Sequence, residues 1–291
     1  MLGNLATIAA ALALPAPLAA LGRDEDAERL AKWVAALRSE RLVSRKVALG
    51  TGAVRVGQLA IGTPYVANTL EAYLREGGSA ASREPLTLSL SRFDCVTLVE
   101  SSLATARLAR AGGAASWERF GQEIERMRYR GGTRGDYTTR LHYFSEWITD
   151  GERRGLVHDI GASLGGIPDD RPLRFMTEHR ASYAALADDA AFARIAAMER
   201  GLDGGVRHVI PTARIAEVAD SIQSGDVLAF ATSIPGLDVT HTALAYRPER
   251  GPLGVLHAPL SGGAVEVSRF TLPEYVAAIR RATGILVARP S

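Results

Sequence analysis

The order of the predicted elements along the chain constrains the fold more than any other feature of the sequence. Segments before Pro211 carry mostly helical patterns of apolar residues, whereas later segments are short apolar or alternating runs separated by Gly and Pro. Runs such as GDVLAFAT, THTALAYRP and GPLGVLHAP are typical of an antiparallel sheet. Since helices come first and strands last, the sequence predicts an α+β fold rather than an alternating parallel one.

The clearest predicted helix covers residues 91–110, in which Val96, Val99 and Leu103 recur at steps of three and four. Other helices are predicted over about residues 24–42, over WERFGQEIERMR and over TTRLHYFSEWITDG. The stretch ALGTGAVRVGQLAIGTPYV is instead predicted to be rich in turns, because of its glycines and its proline. We find no linker that divides the chain, so residues 23–291 are predicted to form a single domain with its core at about 45–285.

The composition excludes several classes of protein. The 291 residues are 47% hydrophobic, which supplies a sizeable core. Lys and Arg total 34 against 32 Asp and Glu, and a net charge of +2 gives no electrostatic reason to expect nucleic acid as a partner. A single cysteine cannot form an internal disulfide, and closely spaced ligands for a structural zinc are missing from the sequence. No metal site is therefore expected.

The first 22 residues, MLGNLATIAAALALPAPLAALG, are apolar and rich in small residues. Ala20 and Gly22 suit a signal-peptidase site, so residues 1–22 are predicted to be an export signal. An apolar N-terminal arm, or a start codon assigned too early, is the alternative, because no Lys or Arg precedes the apolar run. No other run approaches the roughly 20 apolar residues that span a bilayer, so no stable membrane insertion is expected after signal removal.

Cys95, the only cysteine, falls in the first turn of the helix predicted over residues 91–110. A helix N-terminus and a nearby histidine are common means of lowering the pKa of a thiol. His241 opens one predicted strand and His257 closes the next, so two neighbouring antiparallel strands would bring both rings to one end of the sheet. On spacing alone, a buried structural cysteine is the commoner interpretation.

Five motifs occur in the order seen in one bacterial protein family: GTPY (62–65), RFDCVTLVE (92–100), YTTRLHYFSEWI (137–148), DVTHTALAY (238–246) and LHAP (256–259). The chain resembles the DUF1460 family, which is described as N-acetylmuramoyl-L-alanine amidase-like and as related to the NlpC/P60 cysteine hydrolases. The similarity spans about residues 45–285. It implies a papain-like α+β fold, in which a helix bearing the cysteine packs against an antiparallel sheet bearing the histidine.

The resemblance also implies roles for individual residues. Cys95 matches the family nucleophile, His241 the general base and His257 the third, orienting residue. Tyr65 resembles a tyrosine that lines the same cleft in the wider NlpC/P60 superfamily. That superfamily usually has Asp-Cys-Ser-Gly, whereas Val96 follows the cysteine here, a departure from the pattern of dipeptide-releasing endopeptidases. No metal or organic cofactor is implied, and the long segment between cysteine and histidine is expected to build a lid or a substrate wall.

Four polar residues near these motifs are candidates for substrate binding. Asp94 either caps the helix or contacts the substrate. Arg140 suits a peptide carboxylate through its bidentate fork, and Tyr137 and His142 lie in the same motif. Because Arg140 and His142 are two residues apart, they would not share a face of a helix.

These features predict an exported, periplasmic cysteine amidase that hydrolyses the N-acetylmuramoyl-L-alanine bond of peptidoglycan fragments, with muropeptides as its partners. Two alternatives stay open: a γ-D-glutamyl-diamino acid endopeptidase of the NlpC/P60 type, and a non-catalytic cell-wall-binding protein. The joint presence of Cys95, His241 and His257 favours an enzyme, since a binding protein has no need of an ionised thiol. A thiol redox or metal-binding protein would need a second cysteine.

Overall fold

The computed structural model describes residues 18–259 and 263–291, so most of the predicted export signal, residues 1–17, lies outside the described residues. The helices are α1 (Leu18–Ser39), α2 (Leu49–Leu59), α3 (Ala72–Arg75), α4 (Cys95–Ala111), α5 (Trp117–Arg128), α6 (Phe144–Arg153), α7 (Phe175–Glu178), α8 (Asp189–Gly201), α9 (Ile215–Val218) and α10 (Leu272–Ala278). The strands are β1 (Val157–Asp159), β2 (Ile167–Asp169), β3 (Arg207–Pro211), β4 (Val227–Thr232), β5 (Val239–Tyr246), β6 (Gly254–His257), β7 (Glu266–Thr271) and β8 (Ala282–Pro290). In these two ranges, every helix is too short or too polar to cross a lipid bilayer.

The strands form one antiparallel sheet in the order β2-β3-β8-β4-β5-β6-β7, and β1 also pairs with β8. The strands expected after Pro211 are present, and the prediction of an α+β fold with an antiparallel sheet is confirmed. The sequence pattern does not reveal β1, β2 and β3, because strands of three to five residues are too short to show alternation.

Helices cover both faces of the sheet. On one face, Val227, Ala229 and Leu244 belong to a core that α2 and α4 share with the sheet, and α1 and α5 pack against α4. On the other face, Phe230 and Ala243 pack with side chains of α9 and α10. Successive residues of β4 and β5 therefore point into different layers, as the pleat of a strand requires.

Helix α2 corrects the prediction of a turn-rich segment over ALGTGAVRVGQLAIG. Its glycines lie where the helix approaches other backbone or side chains closely. A Cβ atom on Gly50 would stand 2.9 Å from the carbonyl carbon of Gly225, and one on Gly57 would stand 2.7 Å from a methyl group of Leu256. These glycines mark close packing against the sheet rather than turns, a distinction that local sequence patterns do not carry.

The helix predicted over TTRLHYFSEWITDG begins later than expected, at Phe144. Residues Tyr137–Thr139 form a short 3₁₀ turn, and Arg140 then forms an isolated bridge with Tyr129. The segment from Arg140 to Tyr143 is therefore not helical, and residues two apart in it can point to the same side.

Candidate active site

Helix α4 begins at Cys95 because Asp94 and Thr97 cap its first turn. The Thr97 amide donates to Asp94 Oδ1 at 2.8 Å, and the Asp94 amide donates to Thr97 Oγ1 at 2.9 Å. This reciprocal pair is a capping box. Phe93 is 1% exposed and anchors the preceding residue in the core. Local sequence is thus sufficient to make Cys95 the first helical residue.

The half-buried Cys95 thiol lies where α4 meets β5. Burial, and then the negative charge of Asp94, raise the pKa of Cys95 to about 11, although donor groups of Thr242 and Val96 act in the opposite direction. The helix N-terminus does not bring this pKa down as the sequence pattern suggests, because desolvation of the thiol outweighs it. Cys95 is therefore a neutral thiol at pH 7.

His241 and His257 lie on neighbouring strands, β5 and β6, and the structure brings their rings together. His241 Nε2 is 2.8 Å from His257 Nδ1, and the rings meet edge to face with centroids 5.1 Å apart. Thr242, the next residue of β5, is the one whose donor groups act on the Cys95 thiol. The thiol thus lies against β5 at the residue that follows His241, and the two histidines lie at neighbouring ends of β5 and β6.

Both imidazole rings are neutral at pH 7. Burial, together with the neighbouring His257, lowers the pKa of His241 to about 3, and burial lowers the pKa of His257 to about 4. The Phe230 ring stacks on His241 with centroids 5.6 Å apart. Because His257 contacts Nε2 of His241, Nδ1 is the ring nitrogen of His241 that remains for another partner.

Tyr65 lies near Cys95 and Asp94. Its backbone forms a parallel bridge with Phe93, and its amide donates to the Gly263 carbonyl at 2.8 Å. Burial, and after it the charges of Cys95 and Asp94, raise the pKa of Tyr65. Its phenol therefore stays protonated at pH 7 and is a hydrogen-bond donor beside the reactive group.

A cavity of about 220 Å³ opens next to the start of α4. Its lining includes four of the predicted substrate-binding residues, Asp94, Tyr137, Arg140 and His142. Phe175, Met176 and Tyr183 form another part of its wall. The segment between β2 and β3, part of the long stretch between Cys95 and His241, therefore builds a wall of this cavity.

Arg140 lines this cavity but is buried and already paired. Its guanidinium contacts Glu71 and, at 3.3 Å, Glu84. Burial by itself would lower the pKa of Arg140, but the charges of Glu71 and Glu84 raise it above its usual value. The Arg140 guanidinium, which was expected to bind a peptide carboxylate, thus already binds two carboxyl groups of the protein.

His142 also lines the cavity, since the extended backbone between Arg140 and Tyr143 lets alternate residues share one side. His142 Nε2 is 2.9 Å from the Tyr137 carbonyl oxygen, and the two rings are 4.5 Å apart. Burial and the nearby charge of Arg140 lower the pKa of His142 well below its usual value. His142 is therefore neutral, with the Nε2 proton donated to that carbonyl.

The sequence analysis did not identify three residues at this site, Glu71, Thr242 and Tyr275. Tyr275 Oη is 3.1 Å from His257 Nδ1 and Glu71 binds Arg140, yet neither lies in a recognisable motif. Thr242 could have been noticed from the sequence, because it directly follows His241 on a predicted strand. A larger groove of about 690 Å³, lined in part by Trp117 of α5, contains none of the predicted site residues in its lining.

Comparison with known proteins identifies the family. Residues 55–285 match the model of the AmiA-like family, described as N-acetylmuramoyl-L-alanine amidase-like. The chain belongs to this family. The match covers most of the chain and confirms, at the family level, the resemblance found from the five motifs. A hydrolase of the amidase kind, acting on peptidoglycan-type substrates, is the activity that this family membership supports.

Solved structures agree with this assignment. An N-acetylmuramoyl-L-alanine amidase from Bacteroides uniformis ATCC 8492 is 31% identical, and the match covers 84% of this chain and 99% of that one with a TM-score of 0.75. A Bacteroides fragilis protein whose name proposes a xylanase is 33% identical over 80% of this chain and 99% of its own, with a TM-score of 0.72. A DUF1460 protein from Legionella pneumophila, at 18% identity, covers 93% and 96% with a TM-score of 0.65 and shows the fold alone. No curated protein matches the sequence.

Proposed function

We propose that this chain is a cysteine amidase that hydrolyses the bond between N-acetylmuramic acid and L-alanine in peptidoglycan fragments. Cys95 is the nucleophile, His241 the general base and His257 the residue that orients it. The observation that carries this proposal is a thiol in the first turn of α4, set against β5 at Thr242, the residue that follows His241, whose ring is hydrogen-bonded to His257. The family match over residues 55–285 supports the amide as the bond that is cut.

In the first half-reaction, Cys95 Sγ attacks the carbonyl carbon of the scissile amide while His241 Nδ1 takes the thiol proton. Backbone amides in the first turn of α4, including that of Cys95, stabilise the oxyanion, because they have no acceptor within the helix. The C–N bond then breaks, and His241 gives its proton to the leaving amine of L-alanine. A thioester between Cys95 and the muramoyl acyl group remains.

In the second half-reaction, water attacks the thioester carbonyl and His241 takes a proton from it. The C–S bond breaks, the muramoyl carboxyl group is released, and Cys95 recovers its proton from His241. Because Cys95 and His241 are both neutral at rest, the proton moves during each attack rather than before it. The hydrogen bond between a nucleophile and its base is often long before substrate binds. We therefore expect Cys95 Sγ and His241 Nδ1 to lie closer together in the substrate complex than in the free protein.

The cavity beside α4 is the proposed site of the stem peptide. Asp94 and Glu71 offer carboxylate oxygens to its N–H groups, and Tyr65 offers a donor to a carbonyl near the thiol. Arg140 acts here by holding Glu71 in place, since its guanidinium is paired with that carboxylate. Tyr137 and His142 supply the neutral part of the wall.

The proposal includes a relationship to the NlpC/P60 superfamily and a papain-like arrangement. Its support is the packing of α4, which begins at the cysteine, against β5, which carries the histidine. A single catalytic domain over residues 23–291 and an exported, periplasmic location are further parts of the proposal. Substrates in the cell wall lie outside the cytoplasm, which supports the location.

The test is digestion of defined muropeptides with and without the sugar, with products read by mass spectrometry. Wild-type protein is expected to release an intact peptide that begins with L-alanine, and only from substrates that carry the sugar. Cys95→Ala and His241→Asn are each expected to lower the rate at least about a thousandfold, because both act in the same bond-making step. His158→Asn, at an exposed position on β1, is the matched control and is expected to keep wild-type activity.

Other products would assign the site differently. Cleavage after D-glutamate would make the protein an endopeptidase that uses the same thiol. Tight binding without any cleavage, by folded wild-type protein, would indicate a cell-wall-binding protein. Activity that survives Cys95→Ala, on muropeptides or on xylan, would exclude the thiol as nucleophile.

A further inference from the structure

We infer that Glu266 and Tyr275 are positioning residues that fix where the protons lie on the rings of His257 and His241. Together they would hold His241 in the one neutral form that can accept the proton of Cys95. This inference rests on the proposed function, because it concerns the same histidine pair. Neither residue belongs to the motifs that the sequence analysis identified.

The contacts of His257 carry the inference. The His257 side chain is 1% exposed. Its Nδ1 atom has two neighbours, Nε2 of His241 at 2.8 Å and Oη of Tyr275 at 3.1 Å. Its Nε2 atom is buried and has no hydrogen-bond partner within residues 18–259 and 263–291. The Oε1 atom of Glu266 lies 3.8 Å from that nitrogen.

The fold places Glu266 there through strand register. His257 and Glu266 are directly opposite each other on β6 and β7, so their side chains leave the sheet as a cross-strand pair. The Glu266 side chain is 51% exposed, whereas the imidazole that it faces is buried. A shift of about 1 Å would turn this contact into a hydrogen bond of ordinary length.

Tyr275 approaches the same ring from the helix that covers the sheet. Its ring meets the His257 ring edge to face with centroids 4.9 Å apart. Burial, and then the charges of Glu266 and Cys95, raise the pKa of Tyr275 to about 12. Tyr275 is therefore a phenol at pH 7 and can donate its proton to His257 Nδ1.

These contacts select one pair of tautomers. When Nδ1 of His257 accepts a hydrogen bond from Tyr275, the ring proton of neutral His257 must be on Nε2, where the Glu266 carboxylate attracts it. The single lone pair of His257 Nδ1 is then shared between two donors, Tyr275 Oη and His241, and His241 can donate to it only if its proton is on Nε2. His241 Nδ1 is left with a free lone pair for the thiol proton. In the opposite tautomer, His241 would carry its proton on Nδ1 and could not act as the base.

The groups that face His257 from neighbouring elements are His241 on β5, Glu266 on β7 and Tyr275 on α10. Glu266 supplies the only carboxylate among these three. Its charge also favours the positive charge that His241 gains when it takes a proton, because the two lie on either side of the neutral His257 ring. Removal of Glu266 is therefore expected to change both proton placement and thiol reactivity.

The test measures protons and thiol reactivity without any substrate. Protein labelled with ¹⁵N on histidine reports the tautomer of each ring by NMR, with His257 assigned by comparison with His257→Gln. Alkylation of Cys95 by iodoacetamide, followed from pH 6 to pH 11, reports how easily the thiol loses its proton. The variants are Glu266→Ala, Glu266→Gln and Tyr275→Phe, and Glu249→Gln, in the exposed loop after β5, is the matched control.

Glu266→Ala is expected to shift His257 away from the Nε2-protonated form and to lower the alkylation rate at pH 7.5 about tenfold, a part of the roughly 10²–10⁴-fold that a positioned base contributes. Glu266→Gln keeps an acceptor but loses the charge, so a smaller decrease is expected. Tyr275→Phe is expected to change the His257 signals in the same direction. Glu249→Gln is expected to match wild type in both measurements.

Unchanged histidine spectra and unchanged alkylation in folded Glu266→Ala would overturn the inference, even if the wild-type protein cleaves muropeptides. Glu266-dependent spectra in a protein that cleaves no muropeptide would support the inference about proton placement and would count against the proposed amidase function. The two proposals therefore fail through different results.

Discussion

At the scale of single residues, Asp94 has two opposing effects on the site. Its carboxylate caps α4 and so fixes Cys95 in the first turn. The same negative charge raises the pKa of Cys95, after burial, the larger cause. The position of the thiol was therefore predictable from Asp94 and Thr97, which are spaced as a cap. Its ionisation was not, because desolvation depends on the strand that packs against it.

Asp94→Asn separates these two effects. Asparagine caps a helix about as well as aspartate, so the fold is expected to be kept while the charge is lost. The pKa of Cys95 is expected to fall by about one unit, which makes alkylation of the thiol about tenfold faster at pH 8. The measurement is the iodoacetamide rate as a function of pH.

Asp188→Asn is the matched control for this change. Asp188 caps α8 by accepting from the Ala191 amide at 2.7 Å, remote in sequence from the thiol. The alkylation rate of Cys95 is expected to be the same in this variant as in wild type. Equal rates in Asp94→Asn and wild type would mean that the charge of Asp94 does not act on the thiol.

At the scale of secondary-structure elements, α2 shows how tertiary contacts change the meaning of glycine. Glycine in a helix interior normally destabilises it relative to alanine, because the backbone is freer in the unfolded chain. In α2 this effect is outweighed by packing, since Gly50 stands against the backbone of Gly225. Helix α6 shows the opposite case. The apolar pattern predicted a helix that starts within TTRLHY, but the helix begins only at Phe144.

Gly50→Ala is expected to lower the free energy of unfolding by about 1–3 kcal/mol, the usual range for overpacking a well-packed core. Helix propensity alone would predict a gain of up to about 1 kcal/mol. Urea unfolding distinguishes the two by the sign of the change. The matched control is Gly201→Ala in the last turn of α8, where an added Cβ has no atom within 4 Å.

Gly201→Ala is expected to be neutral or to stabilise the protein by a few tenths of a kcal/mol, roughly what an exposed helix position allows. A stabilising Gly50→Ala variant would show that α2 can move away from Gly225 without loss. The close approach would then not be what requires glycine at this position.

At the scale of the whole molecule, tertiary packing buries three histidine rings that the sequence presents as ordinary polar residues: His241 and His257 on the sheet, and His142 in the extended segment before α6. The pKa values of His142, His241 and His257 all lie below the usual value of about 6.5 for histidine. In each case burial is the largest cause, and it disfavours the charged ring. The folded protein therefore binds fewer protons at these rings than the unfolded chain does when the pH falls below about 6.5.

Stability is consequently expected to fall as the pH is lowered through the range below 6.5. A base whose pKa is depressed on folding contributes its stability above the unfolded pKa and loses it as the pH falls toward the folded pKa. Each of the three rings is expected to contribute up to about 1.4 kcal/mol per pH unit to this slope, the limit reached well below pH 6.5 where the unfolded ring is fully protonated. The pKa values of Glu84 and Glu100 are raised, which stabilises the folded protein as the pH falls and partly cancels the effect of the histidines. The contribution of one histidine is therefore measured as the difference in slope between a variant and the wild type.

Urea unfolding at pH 6.5 and pH 5.0 provides that difference. His142→Gln is expected to be less stable than wild type at both values, because the bond to the Tyr137 carbonyl is weakened, but to lose about 1–2 kcal/mol less between them. His158→Asn, at an exposed position, is expected to keep the wild-type slope. An unchanged slope in His142→Gln would mean that this ring does not stay neutral in the folded protein.

The sequence by itself determined the fold class, the strands after Pro211, the place of Cys95 and the family. Each of these depends on local patterns: the order of elements, the alternation along strands, a cap at the right spacing and motifs in a fixed order. These features depend on residues that are close together in the sequence, so they can be recognised without the tertiary structure.

Only the tertiary structure decided which side chains meet and in what charge state. Tyr275 and Glu266 reach His257 because β6 pairs with β7 and because α10 packs over the sheet. Arg140 is paired because Glu71 and Glu84 converge on it from more than fifty positions away in the chain. The physical reason is that desolvation and Coulomb interactions depend on distance in space, which the order of residues does not specify.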